Sequence, residues 1–180
     1  MAVDAVWVSV RAEDGSADGP VPWHQLAPAE LLCAAPWRSF RWYAGQRHLS
    51  GVYWSSTTSG HLAYESRLEL ARMQFADFDP TVSWIAAQPF LLQTVIKGCL
   101  CRHVPDLVLL GDAVPRVVDV KPLARLTDLV VAFTLAWARE AVQRVPRIVT
   151  LRLIPCSDQI SVFGARARLG LHEESSPKID

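Results

Sequence analysis

Two apolar runs separated by a turn set the tightest limit on what this chain folds into: Val104-Pro105-Asp106-Leu107-Val108-Leu109-Leu110 and Arg116-Val117-Val118-Asp119-Val120-Lys121-Pro122. Both read as strands, and Gly111-Asp112-Ala113 between them reads as the turn of a hairpin. Side chains alternate faces along a strand, so Asp119 and Lys121 project to one side while Val118 and Val120 project to the other. An acid and a lysine leaving a buried strand together are costly unless a cleft or a metal receives them. The hairpin brings Asp106 and Asp119 to one edge, where paired carboxylates suit a hard divalent cation such as Mg²⁺. An ion bridging carboxylates to a phosphate is the arrangement that hydrolyses a phosphodiester. A purely structural alternative is that Asp106 caps a strand end and that Asp119 and Lys121 form a surface ion pair worth under about 1 kcal/mol.

Around this hairpin the pattern alternates. Tyr64, Leu68, Ala71, Phe75 and Phe78 recur at helical spacing and predict an amphipathic helix with that stripe facing a core and with Glu65, Glu69 and Arg72 on a neighbouring face. Asp79-Pro80 ends it, Val82 to Gln88 reads as a strand closed by Pro89, and Phe90 to Ile96 reads as another. Lys97-Gly98 offers a turn before Cys99 to Val104. Leu126, Leu129, Val130, Phe133, Trp137 and Ala141 mark a second long helix, and Arg147 to Ile154 a last strand. The order is that of a mixed α/β core in which the second helix returns the chain for a parallel pairing. Residues 1–36, with a strand from Val6 to Val10, a loop and a short helical turn, are expected to be an extension rather than core. Residues 37–172 form the main domain and 173–180 a disordered tail. Between Trp37 and Thr58, tryptophans and tyrosines alternate with Arg38, Arg41 and Arg47, a composition that stacks on bases and grips phosphates or wraps a loop onto a core.

At 180 residues and 51% hydrophobic, the chain can bury one full core. It has no apolar run long enough to span a membrane and no signal-peptide pattern at its start, so a cytoplasmic protein is expected. In that compartment Cys33, Cys99, Cys101 and Cys156 are expected to be reduced core residues. Zero net charge argues against polyanion binding through a global field. Locally, the first thirty residues set five acids against Arg11 alone, whereas residues 121–172 carry eight basic groups and only Asp128, Glu140 and Asp158. Residues 31–60 carry Arg38, Arg41 and Arg47 with no acid, so any nucleic-acid surface is expected on these two stretches, the alternative being unrelated solvated faces. Cys99-Leu100-Cys101-Arg102-His103 lacks the fourth ligand of a structural zinc site, and Ser56, Ser59 and His61 lack the nucleophile elbow and orienting acid of a serine hydrolase.

Pro105-Asp106 followed by Asp119-Val120-Lys121, with Glu65 upstream on a helix, matches the PD-(D/E)xK nuclease signature. With it come, in order, Tyr64-Glu65-Ser66-Arg67-Leu68-Glu69-Leu70, Phe78-Asp79-Pro80-Thr81-Val82, Ala87-Gln88-Pro89-Phe90, Val104-Pro105-Asp106 and Val118-Asp119-Val120-Lys121-Pro122. Together, across roughly Trp37 to Ile154, these segments resemble the TnsA family, endonuclease subunits of heteromeric transposases. The resemblance implies an α/β restriction-endonuclease-like core with a mixed central sheet flanked by helices. It also implies dependence on Mg²⁺, with Mn²⁺ as substitute, and DNA cleavage at the 5′ ends of a mobile element while a transposase partner cuts the 3′ ends. It puts Glu65, Asp106 and Lys121 on the catalytic acid, acid and lysine, and Asp119 on the variable acidic or amide position. The expected metal ligands are Asp106, Asp119, the Val120 carbonyl and Glu65, with Gln88 of the Gln-Pro pair behind them. Well-studied relatives carry a further C-terminal domain that engages the transposition machinery; this sequence stops soon after its last core strand, which leaves partner docking open. A stand-alone nuclease of a mobile element or a DNA-defence system is the nearest alternative, and a catalytically idle DNA-binding or scaffold subunit is the alternative from another class. A homodimer is compatible with all three.

Overall fold

The computed structural model describes residues 5–17, 19–38, 50–112 and 114–145, and the backbone of 152–156. Ten strands and two α-helices run in the order β1 (Val6–Val10), β2 (Val21–Pro22), β3 (Gly51–Ser55), β4 (Gly60–Tyr64), α1 (Arg67–Asp77), β5 (Val82–Ala87), β6 (Phe90–Ile96), β7 (Cys99–His103), β8 (Leu107–Gly111), β9 (Arg116–Pro122), α2 (Leu129–Gln143) and β10 (Arg152–Cys156). This is a mixed α/β fold with few helices.

The sheet that matters for the site has the order β10-β9-β8-β5. β5 and β9 each pair antiparallel with β8, and β10 returns beside β9 in parallel after α2. The expected hairpin forms with Leu107 opposite Val118, which sets Asp106 across from Asp119. Alternation then sorts the side chains. Leu107, Leu109, Val118, Val120, Ile85 and Ala87 pack on Met73 and Ala76 of α1. Val108, Val117 and Ala86 face the other way, onto Trp137, Ala138 and Ala141 of α2. Gly111 lies so close to the Thr81 carbonyl that a Cβ there would overlap it, which fixes glycine at the end of β8.

A second, antiparallel sheet, β2-β1-β6-β7, lies on the α2 side. Lys97 (φ 50°) and Gly98 (φ 78°) form the left-handed two-residue turn that the twist of a β6–β7 hairpin demands. β1 pairs along its whole length with β6, and Val8, Trp23 and Leu31 are fully buried against Phe90, Leu92 and Trp137. β1, Trp23, Leu26 and Leu31 are therefore part of the core, where residues 1–36 were expected to be an extension. Their polar loop around Gly15 outweighed the apolar alternation in the sequence pattern.

Both expected helices form but are rotated, and α1 starts only at Arg67: Tyr64 ends β4 and Glu65, expected on the helix, precedes it. In α1 the buried residues are Glu69, Met73 and Ala76, while Phe75 and Phe78, placed on the core stripe from sequence, are 46% and 59% exposed. In α2 Trp137 and Ala141 are buried as expected, but Leu129 and Val130 face outward. The β3–β4 ribbon is tied to the C-terminal end of α1 by Asp77, whose carboxylate accepts from the Tyr53 and Ser55 hydroxyls and from the Ser56 and Thr57 amides. These bonds outweigh the effect of burial and hold the Asp77 pKa below the usual carboxylate range. Cys33 and Cys99 are free and exposed, and Cys101 is half-buried, so the expectation of buried thiols fails for them. Among the described residues no helix is long and apolar enough to cross a membrane. Phe40, Arg41, Trp42, Tyr43, Arg47, His48, Arg147 and the tail lie outside the described residues, as does the Cys156 side chain.

Candidate active site

A cleft of about 580 Å³ opens where β9 ends and α1 begins; its walls include Glu65, Glu69, Val120, Lys121 and Arg125. Behind the lining residues Val120 and Lys121, Asp106, 3% exposed, sits just before β8 and reaches across to β9. Its Oδ2 accepts from the Val120 amide at 2.7 Å and from Lys121 Nζ at 2.9 Å. A strand residue turns its N–H and C=O to the same edge, so the Val120 carbonyl looks toward Asp106 as well. Lys121 thus pairs with Asp106, and the Asp119–Lys121 surface ion pair of the structural alternative is not what forms.

Asp119 is fully buried, and its carboxylate is taken up by His103 of β7: Nε2 lies 2.9 Å from Oδ2 and 3.1 Å from Oδ1. Trp137 of α2 stands edge-on to that imidazole, with ring centroids 6.2 Å apart. Asp119 still acts on the site through its field, which helps raise the Asp106 pKa.

The helical acid at the floor is Glu69. Ser66 caps α1: its Oγ accepts from the Glu69 amide at 3.2 Å, and its hydroxyl donates to Glu69 Oε1 at 2.9 Å. The Glu65 amide donates to Glu69 Oε2 at 2.8 Å. This is a variant of the capping box that a Ser-x-x-Glu sequence favours, with the Glu65 amide in place of the Ser66 amide on the glutamate, and it holds the Glu69 side chain in place. A capping glutamate ordinarily sits in solvent, yet this one is 6% exposed and feels Asp106. Burial first, and the Asp106 charge second, push its pKa up to about 7. Burial and the nearby Asp119 likewise lift Asp106 above the carboxylate range, against the pull of Lys121 and the Val120 amide. Burial alone would lower the Lys121 pKa, but Asp106, Asp119 and Glu69 outweigh it and hold the ammonium above the ordinary lysine value. Three acids share one lysine, so the floor is short of positive charge.

Glu65 lines the same cleft and its charge adds to the rise of the Glu69 pKa, but its own Oε2 takes the Arg38 guanidinium at 2.7 Å. Gln88, fully buried at the end of β5, lies beneath: its amide donates to the Asp106 carbonyl at 3.0 Å, and its Oε1 accepts from the Arg38 amide at 3.2 Å. Its Nε2 is buried without a partner among the described residues. Of the residues expected from sequence, the structure brings together Asp106, Lys121 and Val120, with Asp119 one layer behind and Gln88 below, and it sets Glu65 apart. Glu69 and His103 were missed. The signal for Glu69 was the capping box together with an acid interrupting an apolar stripe; for His103 it was only strand alternation from Cys99 and Cys101.

Every donor at the floor is oxygen, and the mutual repulsion of Glu69 and Asp106 is what a bound cation would relieve, so the set fits a hard ion. Among the described residues no group of three or more His, Cys, Asp or Glu is placed to hold a metal ion. Comparison with protein-family models and with curated proteins gives no match to this chain.

Proposed function

We propose that this protein is a Mg²⁺-dependent DNA endonuclease of the TnsA-like type, with a restriction-endonuclease-like core, acting with a transposase partner at the ends of a mobile element. The observation that carries this reading is a cleft lined by Glu69 and Lys121 with the buried Asp106 bonded to Lys121 behind them, where burial raises both carboxyl pKa values. The order of motifs along the chain supports the transposase assignment.

In this reading Glu69, Asp106 and the Val120 carbonyl hold the cation, and Glu69 takes the helical role that the sequence pattern assigned to Glu65. Bound there, Mg²⁺ supplies Lewis-acid polarisation of the scissile phosphate and acidifies a bound water. Lys121, kept as an ammonium by its acidic neighbours, donates to the phosphate oxygens as charge builds on them. Its raised pKa argues against a role as general base. Asp119, held by His103, keeps the field at Asp106 negative and so favours cation capture. Hydrogen bonds from Ser66, Glu65 and Val120 fix the ligand carboxylates before substrate arrives.

The test is nicking of supercoiled plasmid with Mg²⁺ or Mn²⁺. Asp106→Asn keeps an acceptor for the Val120 amide but removes the charge, and Lys121→Ala removes the ammonium. Each is expected to lower cleavage by about 10²-fold or more with the circular dichroism spectrum unchanged. Cleavage at the wild-type level by both variants would dismiss the site. Activity only when a co-encoded transposase is added identifies a subunit, activity alone a solitary nuclease, and silence in both settings an idle scaffold.

A further inference from the structure

The Arg38–Glu65 pair at the cleft mouth has a construction that a chance surface contact lacks. The chain leading to Arg38 is pinned at successive residues: the Ala35 amide donates to the Arg11 carbonyl, the Arg11 guanidinium lies 5.3 Å over the Trp37 ring, and the Trp37 amide donates to the Gln88 carbonyl. The Arg38 amide then donates to Gln88 Oε1. To turn both of its carbonyl groups toward this segment, Gln88 adopts φ 48°, a left-handed conformation that costs a non-glycine residue about 1 kcal/mol or more. Glycine would take that conformation freely but has no side-chain amide to hold Arg38. The strain maintains the backbone position of one arginine, and that arginine is aimed at the cleft.

What the guanidinium holds is a carboxylate on the cleft wall, on the same cleft as Glu69 and Lys121. The two side chains are 44% and 31% exposed, so the pair is solvated, and exposed pairs of this kind are worth at most about 1 kcal/mol. A phosphodiester presents the same forked pair of oxygens and the same charge as the carboxylate, and arginine accepts either one.

We propose that Arg38 is a phosphate clamp for the nucleic-acid strand and that Glu65 occupies the clamp in the free protein, standing in for a backbone phosphate that displaces it. The proposal takes its substrate class from the phosphodiester-cleaving reading above. Glu65 is then a competitor for substrate rather than a metal ligand, and Gln88 is the positioning residue that presents Arg38.

Binding of a short fluorescein-labelled DNA duplex, followed by anisotropy in Ca²⁺ across a salt series, tests this directly. Arg38→Ala is expected to weaken binding and to reduce the slope of log K against log salt by about one, the loss of a single phosphate contact. Glu65→Gln is expected to tighten binding by up to about fivefold at low salt. That gain is expected to vanish in the Arg38→Ala background, because the two residues act through one contact. An unchanged slope for Arg38→Ala, or weaker binding by Glu65→Gln, overturns the clamp, as does loss of plasmid cleavage in Glu65→Gln, which would return Glu65 to the metal site. Plasmid cleavage by the wild type separates the two readings. A wild type that cuts, alone or with the co-encoded transposase, while Arg38→Ala binds unchanged sinks the clamp alone; one that shows the slope loss but cuts in neither setting sinks the nuclease and leaves the clamp. A wild type that neither binds nor cuts sinks both.

Discussion

Replacing Glu69 with glutamine removes the charge that the cleft floor accommodates least well. The folded-state pKa of Glu69 rises from 4.5 to about 7, a span of about 2.5 pH units. At about 1.4 kcal/mol per unit this puts the penalty of carrying that charge at no more than about 3–4 kcal/mol. The sign follows from proton uptake. Between the unfolded value of 4.5 and the folded value of about 7 the native state binds the extra proton, so stability is greatest at low pH and falls as pH rises through about 7. Glutamine preserves the local bonding, since its Oε1 accepts the Glu65 amide while its Nε2 donates to the Ser66 hydroxyl, which rotates to receive it. Exchanging charged for neutral acceptors returns about 1–2 kcal/mol of the gain. At about pH 8 Glu69→Gln should therefore be more stable than the wild type by about 1–2 kcal/mol, a rise in Tm of about 2–4 °C per kcal/mol for a chain of this size. At about pH 4.5 that gain should have disappeared, because the wild-type carboxyl is then neutral in the folded state. Thermal melts at the two pH values decide it. Added Mg²⁺ should raise the wild-type Tm at the higher pH and leave that of the variant unmoved. A variant less stable than wild type at about pH 8, or a difference independent of pH, would refute the claim that Glu69 is held at a charge-poor cation site.

Two further outcomes probe the groups around the site. His103→Ala leaves the fully buried Asp119 carboxylate without its partner, and urea denaturation should show a loss of about 3–5 kcal/mol, largely recovered in the double variant with Asp119→Leu. Asp77→Ala removes the acceptor for two hydroxyls and two amides of the β3–β4 ribbon, and should lower stability by about 1–3 kcal/mol, discounted because water reaches this carboxylate. Because the Asp77 pKa is depressed, that contribution is full above 3.8 and drains away as pH falls below it, so wild type and Asp77→Ala should converge in acid melts.

The β8–β9 hairpin was legible because strand periodicity and turn chemistry are local: Asp106 and Asp119 face each other across it as their spacing requires. What each carboxylate bonds was not legible. Asp119 finds His103 because β7 and α2 pack against the hairpin from another sheet, a contact set by tertiary structure that no short-range pattern encodes. The burial of Glu69 was overlooked for a related reason. The helical phase of α1 was read from its aromatic residues, which placed Phe75 and Phe78 inward, whereas the buried face runs through Glu69, Met73 and Ala76.

That error bears on function. A helix whose most buried turn carries an ionisable residue has a low hydrophobic contrast along its true face, so pattern matching rotates it toward the nearest apolar stripe. Local rules fail most readily where a chain sacrifices stability for a site. Here the conflict is concrete: Phe75 and Phe78 are left in solvent, Glu69 is buried at a cost of up to about 3–4 kcal/mol at alkaline pH, and Gln88 carries a left-handed backbone and an unpartnered amide nitrogen. All of this lies within the segments that frame one cleft. Structural need alone would have put leucine at 69 and glycine at 88, giving a more stable α1 and a relaxed β5–β6 turn. The residues that stand there instead place an acid beside Asp106 and an arginine at the cleft mouth, and that shared location is the physical ground for treating the cleft as the working part of the molecule.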